Sequence, residues 1–187
     1  MVSDPGYRLV REVRAAGFAV SPVPGACAAI AALSVAGIPS DRFCFEGFLP
    51  AKSSARRECL QNLAREARTL VFYESSHRID ESLVDLVAIF GADREAVIAR
   101  ELTKLFETVL GDTLGSLLEK VQADENQRKG EFVIVVRGCE DDTGVALAEG
   151  QRLYAKLVEH MKPSQAAKLA AELSGAPRKS LYGGEAS

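Results

Sequence analysis

Histidine and paired cysteine are scarce in this sequence, and their scarcity narrows the chemistry. Only His77 and His160 stand beside four scattered cysteines, Cys27, Cys44, Cys59 and Cys139, with no C-x-x-C pair. That set argues against a zinc site and for a reduced, cytoplasmic protein. No apolar run is long enough to span a bilayer, and Met1-Val2-Ser3-Asp4-Pro5-Gly6 is no signal peptide, so no membrane partner is expected. The G-x-G-x-x-G and P-loop strings are both absent. So are internal repeats and low-complexity segments. A formal charge of −3 gives no global attraction to nucleic acid, and any such binding must be local. What remains, at 187 residues and 47% hydrophobic content, is enough chain for one large domain with small appendages.

Two apolar runs stand out. Thr69-Leu70-Val71-Phe72 leads into Tyr73-Glu74-Ser75-Ser76-His77-Arg78, and Ala96-Val97-Ile98 leads into Ala99-Arg100-Glu101-Leu102-Thr103-Lys104. Buried parallel strands have this form, and in open α/β sheets ligands sit beyond the strands' carboxyl ends. Around them helix and strand patterns alternate. Helices are predicted over 7–16, 26–36, 52–66, 79–90 and 114–121, and strands over 18–20, 42–49, 69–73, 96–99 and 131–136. The 26–36 helix has almost no polar residue, which predicts burial on most sides. Strands alternating with helices imply parallel βαβ units, with a hairpin-joined last strand making the sheet mixed. Gly138 to Gly144 is an acidic stretch that reads as a linker, and helices over 151–160 and 164–173 with a turn over 178–182 follow it. Asp4-Pro5-Gly6 opens a helix with no strand before it, so the chain reads as starting within a domain.

Three constellations carry candidate chemistry. Pro24-Gly25-Ala26-Cys27-Ala28-Ala29 either lets a ligand approach the amides of a helix N-terminus or simply joins strand to helix. Glu74, His77 and Arg78 after one strand, and Arg100, Glu101, Thr103 and Lys104 after the other with Glu107 close behind, either orient and deprotonate a hydroxyl or form an ion-pair network that fixes loops. Lys129-Gly130-Glu131 either permits close backbone approach to a ligand or only shapes a turn. Lys52, Arg56 and Arg57 lie on a basic helix that is a solvated face or a phosphate contact. In the tail Arg152, Lys156, Lys162, Lys168, Arg178 and Lys179 outnumber Glu159 and Glu172. Its short helices read as a helix-turn-helix making phosphate contacts, or as a plain appendage or dimerisation element.

These strings, in this order, together with Gly37-Ile38-Pro39-Ser40-Asp41-Arg42-Phe43 and Phe45-Glu46-Gly47-Phe48-Leu49-Pro50, resemble the ribosomal small-subunit RNA (cytidine 2′-O)-methyltransferase family of the tetrapyrrole-methylase superfamily. The resemblance covers nearly the whole chain. It implies an α/β fold in four parts: a remnant of a first methylase domain over 1–40, a complete second domain with a mixed sheet over 41–138, a linker over 139–150, and a small helical tail over 151–187. It implies transfer of the sulfonium methyl of S-adenosylmethionine to a cytidine ribose in 16S ribosomal RNA, in a homodimer. By resemblance Pro24, Gly25, Ala26, Cys27, Ala28, Tyr73, Glu74, Gly130 and Glu131 contact the cofactor. Arg100, Glu101 and Lys104 activate the nucleophile or position phosphate and ribose, with Glu101 before Lys104 as base. His77, Arg78, Lys52, Arg56, Arg178 and Lys179 meet the RNA substrate. The family's opening Pro-Ile-Gly-Asn, Glu-Asp-Thr-Arg and Ser-Asp-Ala-Gly-Thr-Pro motifs are absent, so the chain reads as an incomplete and weakly active or inactive form. A corrin or porphyrin methylase and a non-catalytic RNA-binding or dimerisation module are the rival readings.

Overall fold

Three strands too apolar to face water organise the protein. The computed structural model describes residues 6–139 and 143–181, in two units that divide at Gly138. In the first, β1 (Phe43–Phe48), β2 (Thr69–Ser75), β3 (Glu95–Arg100), β4 (Thr108–Thr113) and β5 (Glu131–Val136) form one sheet in the order β1-β2-β5-β3-β4. β1 and β2 are parallel, whereas β5 runs antiparallel to both β2 and β3 and lies between them. β2 and β3 therefore point the same way without touching. The mixed sheet is as expected, but the antiparallel hairpin belongs to β3 and β4.

Alternation along the central strands feeds two cores. Leu70, Phe72, Ile98, Phe132, Ile134 and Val136 face one side, packed with residues of α3 (Ser53–Leu63), α4 (Ile79–Phe90) and α5 (Leu114–Ala123). Val71, Val97, Ala99, Val133 and Val135 face the other, against Ala29, Ala32 and Leu33 of α2 (Ala28–Ala36). Those three positions form an i, i+3, i+4 stripe, and the small side chains of Ala29 and Ala32 let the helix lie close to the sheet. The rest of α2 is not buried: Ile30 and Val35 are 53% and 54% exposed, against the expectation from its composition.

Polar residues fasten the helices on the first side. Arg56 is 2% exposed and donates from Nε to Asp85 Oδ2 at 2.7 Å, and its Nη2 lies 3.3 Å from Glu81 Oε2, so α3 is pinned to α4. This corrects the expectation that Arg56 meets RNA. Glu74, 1% exposed, accepts from Ser82 Oγ and the Ser75 N–H, both at 2.7 Å, and pairs with Arg78 at 2.8 Å, which ties the end of β2 to α4. The Thr113 side chain caps α5 by accepting from the Ser116 N–H at 3.3 Å.

The amino-terminal part follows different rules. Helix α1 (Tyr7–Ala15) buries no residue, and residues 18–20 form no strand, with Phe18 69% exposed. A strand needs a ladder partner, and the segment has none among the described residues.

The second unit holds α6 (Thr143–Leu157), α7 (Pro163–Ser174) and α8 (Arg178–Leu181). Its core is Ala170, Ala176 and Leu181, with Leu147, Leu153, Tyr154 and Leu157 against it. Helix α6 begins inside the stretch expected as a linker over 139–150. A Cβ on Gly150 would stand 2.7 Å from Ser174 Oγ and 2.9 Å from Ala176 Cβ, so glycine is what lets α6 approach α7. Helix α7 starts with Pro163 at its first turn and ends at Gly175, φ 75°. Tyr182 lies outside the described residues.

Removing one member of the buried Arg56–Asp85 pair strands the other's charge, which costs about 3 kcal/mol or more. Arg56→Met is expected to lose that much in urea unfolding. Arg56→Met with Asp85→Leu is expected to recover most of it, and a double variant no better than the single would refute the pairing energy.

Candidate functional site

The insertion of β5 sets where chemistry gathers. Ser75 at the end of β2 is opposite Glu131, and Arg100 at the end of β3 is opposite Phe132. The carboxyl ends of β1, β2 and β3 thus share one sheet edge with the amino end of β5. On the α2 side of that edge lies a pocket of about 250 Å³ lined by Ala28, Phe48, Tyr73, Ala99, Leu102, Lys104, Glu131, Phe132 and Val133. A more open hollow of about 940 Å³ lies between α1 and residues 17–23, where Arg14 is the only charged wall residue among the described residues.

One loop supplies the charged end of the pocket. After β3, Glu101 and Thr103 take left-handed backbone, φ 52° and 64°, a conformation that costs a non-glycine residue about 1 to 3 kcal/mol. A network opposes that cost. The Glu101 N–H donates to the Glu131 carbonyl at 3.0 Å, and the Glu131 N–H donates to Glu101 Oε1 at 2.9 Å. Lys104 Nζ donates to Glu101 Oε1 at 3.0 Å and to Glu131 Oε2 at 2.9 Å. The Thr103 N–H donates to Glu107 Oε2 at 2.6 Å, closing the turn. Gly130 completes the clasp. Its φ is 100°, and a Cβ there would overlap the Glu101 carboxylate. The glycine thus makes room for the Glu101 side chain at a left-handed turn.

The clasp sets protonation. The bond from Lys104, then that from the Glu131 N–H, holds the Glu101 carboxyl below its ordinary value of 4.5. Glu131, then Glu101, holds the Lys104 ammonium above its ordinary 10.5. Lys104 is therefore held as an ammonium at neutral pH. Glu101 stands outside the pocket lining, with Oε1 already accepting two hydrogen bonds.

The apolar end is aromatic. Tyr73 packs edge-on against Phe45, ring centres 4.8 Å apart, and against Phe48 at 5.7 Å. Its hydroxyl accepts from the Ala29 N–H at 3.1 Å, so the first turn of α2 is already capped. Burial pushes the Tyr73 phenol up. Cys27, the N-cap residue, has its thiol lowered chiefly by the Ile30 backbone N–H.

Of the residues expected at the site, the structure brings Ala28, Tyr73, Lys104 and Glu131 to the pocket, with Gly130 and Glu101 behind them. It does not bring the others. Pro24, Gly25 and Ala26 are exposed and outside the lining, and Cys27 sits at the edge of the α2 core. Glu74 and Arg78 face α4, where Arg78 Nη1 also donates to the Leu49 carbonyl at 3.0 Å. Arg100 is 8% exposed and donates from Nε to Thr108 Oγ1 at 2.8 Å and from Nη1 to the Lys129 carbonyl at 3.2 Å. It ties β3 to β4 and to the turn before β5. His77 and Lys52 are exposed, before α4 and α3 respectively. In the second unit Lys179 is exposed, and Arg178 donates to the Ser164 carbonyl at 3.4 Å. Phe48, Ala99, Leu102, Phe132 and Val133 line the pocket without having been singled out in the sequence, because nothing polar marks them.

No group of three or more metal-ligating side chains occurs among the described residues, and no described helix is long and apolar enough to cross a membrane.

Comparison with known proteins agrees with this architecture. Residues 1–118 match the model of the Tetrapyrrole (Corrin/Porphyrin) Methylases, and residues 145–183 match the RsmI C-terminal HTH domain. Ribosomal RNA small subunit methyltransferase I of Xylella fastidiosa strain Temecula1 is 64% identical over 184 residues, 98% of this chain and 67% of that protein. The Escherichia coli O157:H7 protein of the same name is 52% identical over 182 residues, 97% of this chain and 64% of that one. The chain thus spans about two thirds of the length of these relatives. Among solved structures, the methyltransferase CobJ shares the fold at a TM-score of 0.53 and 21% identity, covering 74% of this chain and 60% of its own. On these matches the chain belongs to the tetrapyrrole (corrin/porphyrin) methylase family, in the branch of ribosomal RNA small subunit methyltransferase I.

Proposed function

We propose that the chain takes part in S-adenosylmethionine-dependent 2′-O-methylation of a cytidine ribose in small-subunit ribosomal RNA, in the cytoplasm and as a homodimer. The observation that carries this reading is identity of 64% and 52% over nearly the whole chain to proteins named ribosomal RNA small subunit methyltransferase I. The pocket fits part of such a cofactor. Its walls are apolar and aromatic, with one carboxylate and one ammonium at the mouth. Its roughly 250 Å³ is below the ~300–1,000 Å³ that encloses a whole drug-sized ligand. Ala28, Tyr73, Ala99, Leu102 and Val133 would hold the apolar part of the cofactor and keep water from the reacting carbon.

The bound cofactor supplies an electrophilic methyl on a sulfonium, which leaves as a neutral thioether once a ribose oxygen has taken the methyl and lost its proton. Glu131 is the candidate to receive that proton, as the carboxylate in the pocket lining, 84% exposed. Lys104 orients Glu131 and meets ribose or phosphate as a fixed cation. Glu101, behind it, is a positioning residue for both. We favour Glu131 over Glu101 and Lys104, the two bases that the resemblance implies in that order, because Glu101 Oε1 already accepts two hydrogen bonds outside the pocket lining and Lys104 is held as an ammonium.

The test is incubation of small-subunit ribosomal RNA with the protein and methyl-labelled S-adenosylmethionine, followed by nucleoside mass analysis. Label on a cytidine ribose is expected. Label on a base, or on a tetrapyrrole offered in competition, overturns the reading. Glu131→Gln is expected to slow transfer about 100-fold or more with cofactor affinity retained, the usual cost of losing a positioned base.

The clasp has a pH signature. A carboxylate with a lowered value stabilises the fold above its unfolded value and loses that stabilisation as pH falls through the folded one. A lysine with a raised value stabilises below its unfolded value and loses it as pH rises through the folded one. Glu101 and Lys104 together therefore keep the loop closed from about pH 5 to about pH 10. Hydrogen exchange of the Glu101 and Lys104 amides is expected to show constant protection across that window after correction for intrinsic rates. Protection lost at pH 7 would contradict the clasp.

A further inference from the structure

The sequence of β1 contains a register device that the site uses. Phe45 is paired with Val71, yet Gly47 is paired with Phe72 and Phe48 with Tyr73, so Glu46 is an extra residue. Gly47 makes the bulge with φ 71°. In a regular strand, Phe45 and Gly47 would share a face, and Phe48 would point to the α3 and α4 side. The extra residue reverses this, because a one-residue shift moves every later side chain to the opposite face. Leu49 consequently enters the α4-side core, and Phe48 joins Phe45 and Tyr73 on the pocket side.

The bulge thus leaves an aromatic ring accessible at the pocket. Phe48 is 53% exposed at the pocket, and its contact with Tyr73 is edge-on, with an interplanar angle of 69°. A T-shaped contact engages at most one face of either ring, so at least one face of Phe48 is free of Tyr73. A planar heteroaromatic ring is the ligand that gains most from such a face, since every nucleobase has a π-surface. The Lys104 and Glu131 end of the same pocket offers polar contacts for a sugar.

We propose that Phe48, aimed by the Glu46–Gly47 bulge, is the stacking platform for a nucleobase entering this pocket. The inference rests on the functional reading above, in which two ligands carry such a base: the adenine of the methyl donor and the cytosine of the RNA acceptor. Phe48 is a binding and positioning residue, and its contribution is to affinity and alignment.

The chain contains no tryptophan, so Phe48→Trp creates a single fluorescent reporter at the platform. The full chain carrying Phe48→Trp is titrated with S-adenosylhomocysteine and, separately, with 16S ribosomal RNA. Phe48→Leu is titrated beside the parent chain by calorimetry. Quenching by S-adenosylhomocysteine, with about tenfold weaker binding of it by Phe48→Leu, identifies the donor adenine. Quenching by RNA alone, with about tenfold weaker RNA binding, identifies the acceptor base. Parent-like affinity of Phe48→Leu for both ligands, with no quenching in Phe48→Trp, overturns the stacking role while leaving the methyltransferase reading intact. A parent chain that binds neither ligand overturns both.

Discussion

Insertion of β5 between β2 and β3 is the constraint from which the site follows. Two parallel strands joined through α4 would ordinarily lie side by side, and their polar ends would compete for the same crevice. Separated by one antiparallel strand, they leave room at the edge for the Gly130–Glu131 turn, and the ladder positions Ser75–Glu131 and Arg100–Phe132 fix its height. Every part of the charged clasp depends on that register. Glu101 reaches the Glu131 backbone because β3 ends where β5 begins, and Gly130 is required because the Glu101 carboxylate fills the space of a side chain.

Polar residues at a strand end are sorted by parity, and this explains what the sequence revealed and what it hid. The two strand ends with their charged clusters were legible, as were most helices, because apolar periodicity and abrupt polarity are local signals. The side on which each polar residue falls is not local. Tyr73 and Glu74 are neighbours in sequence, yet Tyr73 faces the pocket and Glu74 is sealed against Ser82 and Arg78. Arg100 and Glu101 divide in the same way, Arg100 toward Thr108 and Glu101 toward Lys104. Arg56 looked like a solvated helix charge because its partners, Asp85 and Glu81, lie 29 and 25 residues away. Strand β4 escaped notice because Gly111, Asp112 and the terminal threonines dilute its apolar content. It holds its place through the ladder to β3 rather than through its own propensity.

The basic, acidic and aromatic residues of the pocket differ in how firmly they are held, and the difference bears on mechanism. Lys104 and Glu101 are fixed by hydrogen bonds to each other and to β5, in a loop where Glu101 and Thr103 take left-handed backbone. A charge held in that manner needs no reorganisation when a ligand arrives, and such preorganisation is where electrostatic catalysis gains most. Glu131 is held on one side only, by Lys104, and is open to solvent on the other. A proton acceptor requires that freedom: it must be oriented before reaction and must release its proton to water afterwards. The aromatic wall has the opposite requirement. Tyr73 is fixed at both ends, by Phe45 at its ring and by the Ala29 amide at its hydroxyl. A rigid ring behind Phe48 gives a stacking partner a defined plane. The pocket thus combines a rigid apolar wall with a charged mouth in which one carboxylate remains accessible. That asymmetry is what the proposed transfer of a small apolar group to an oxygen calls for, with the apolar residues along one wall and the accessible carboxylate at the mouth.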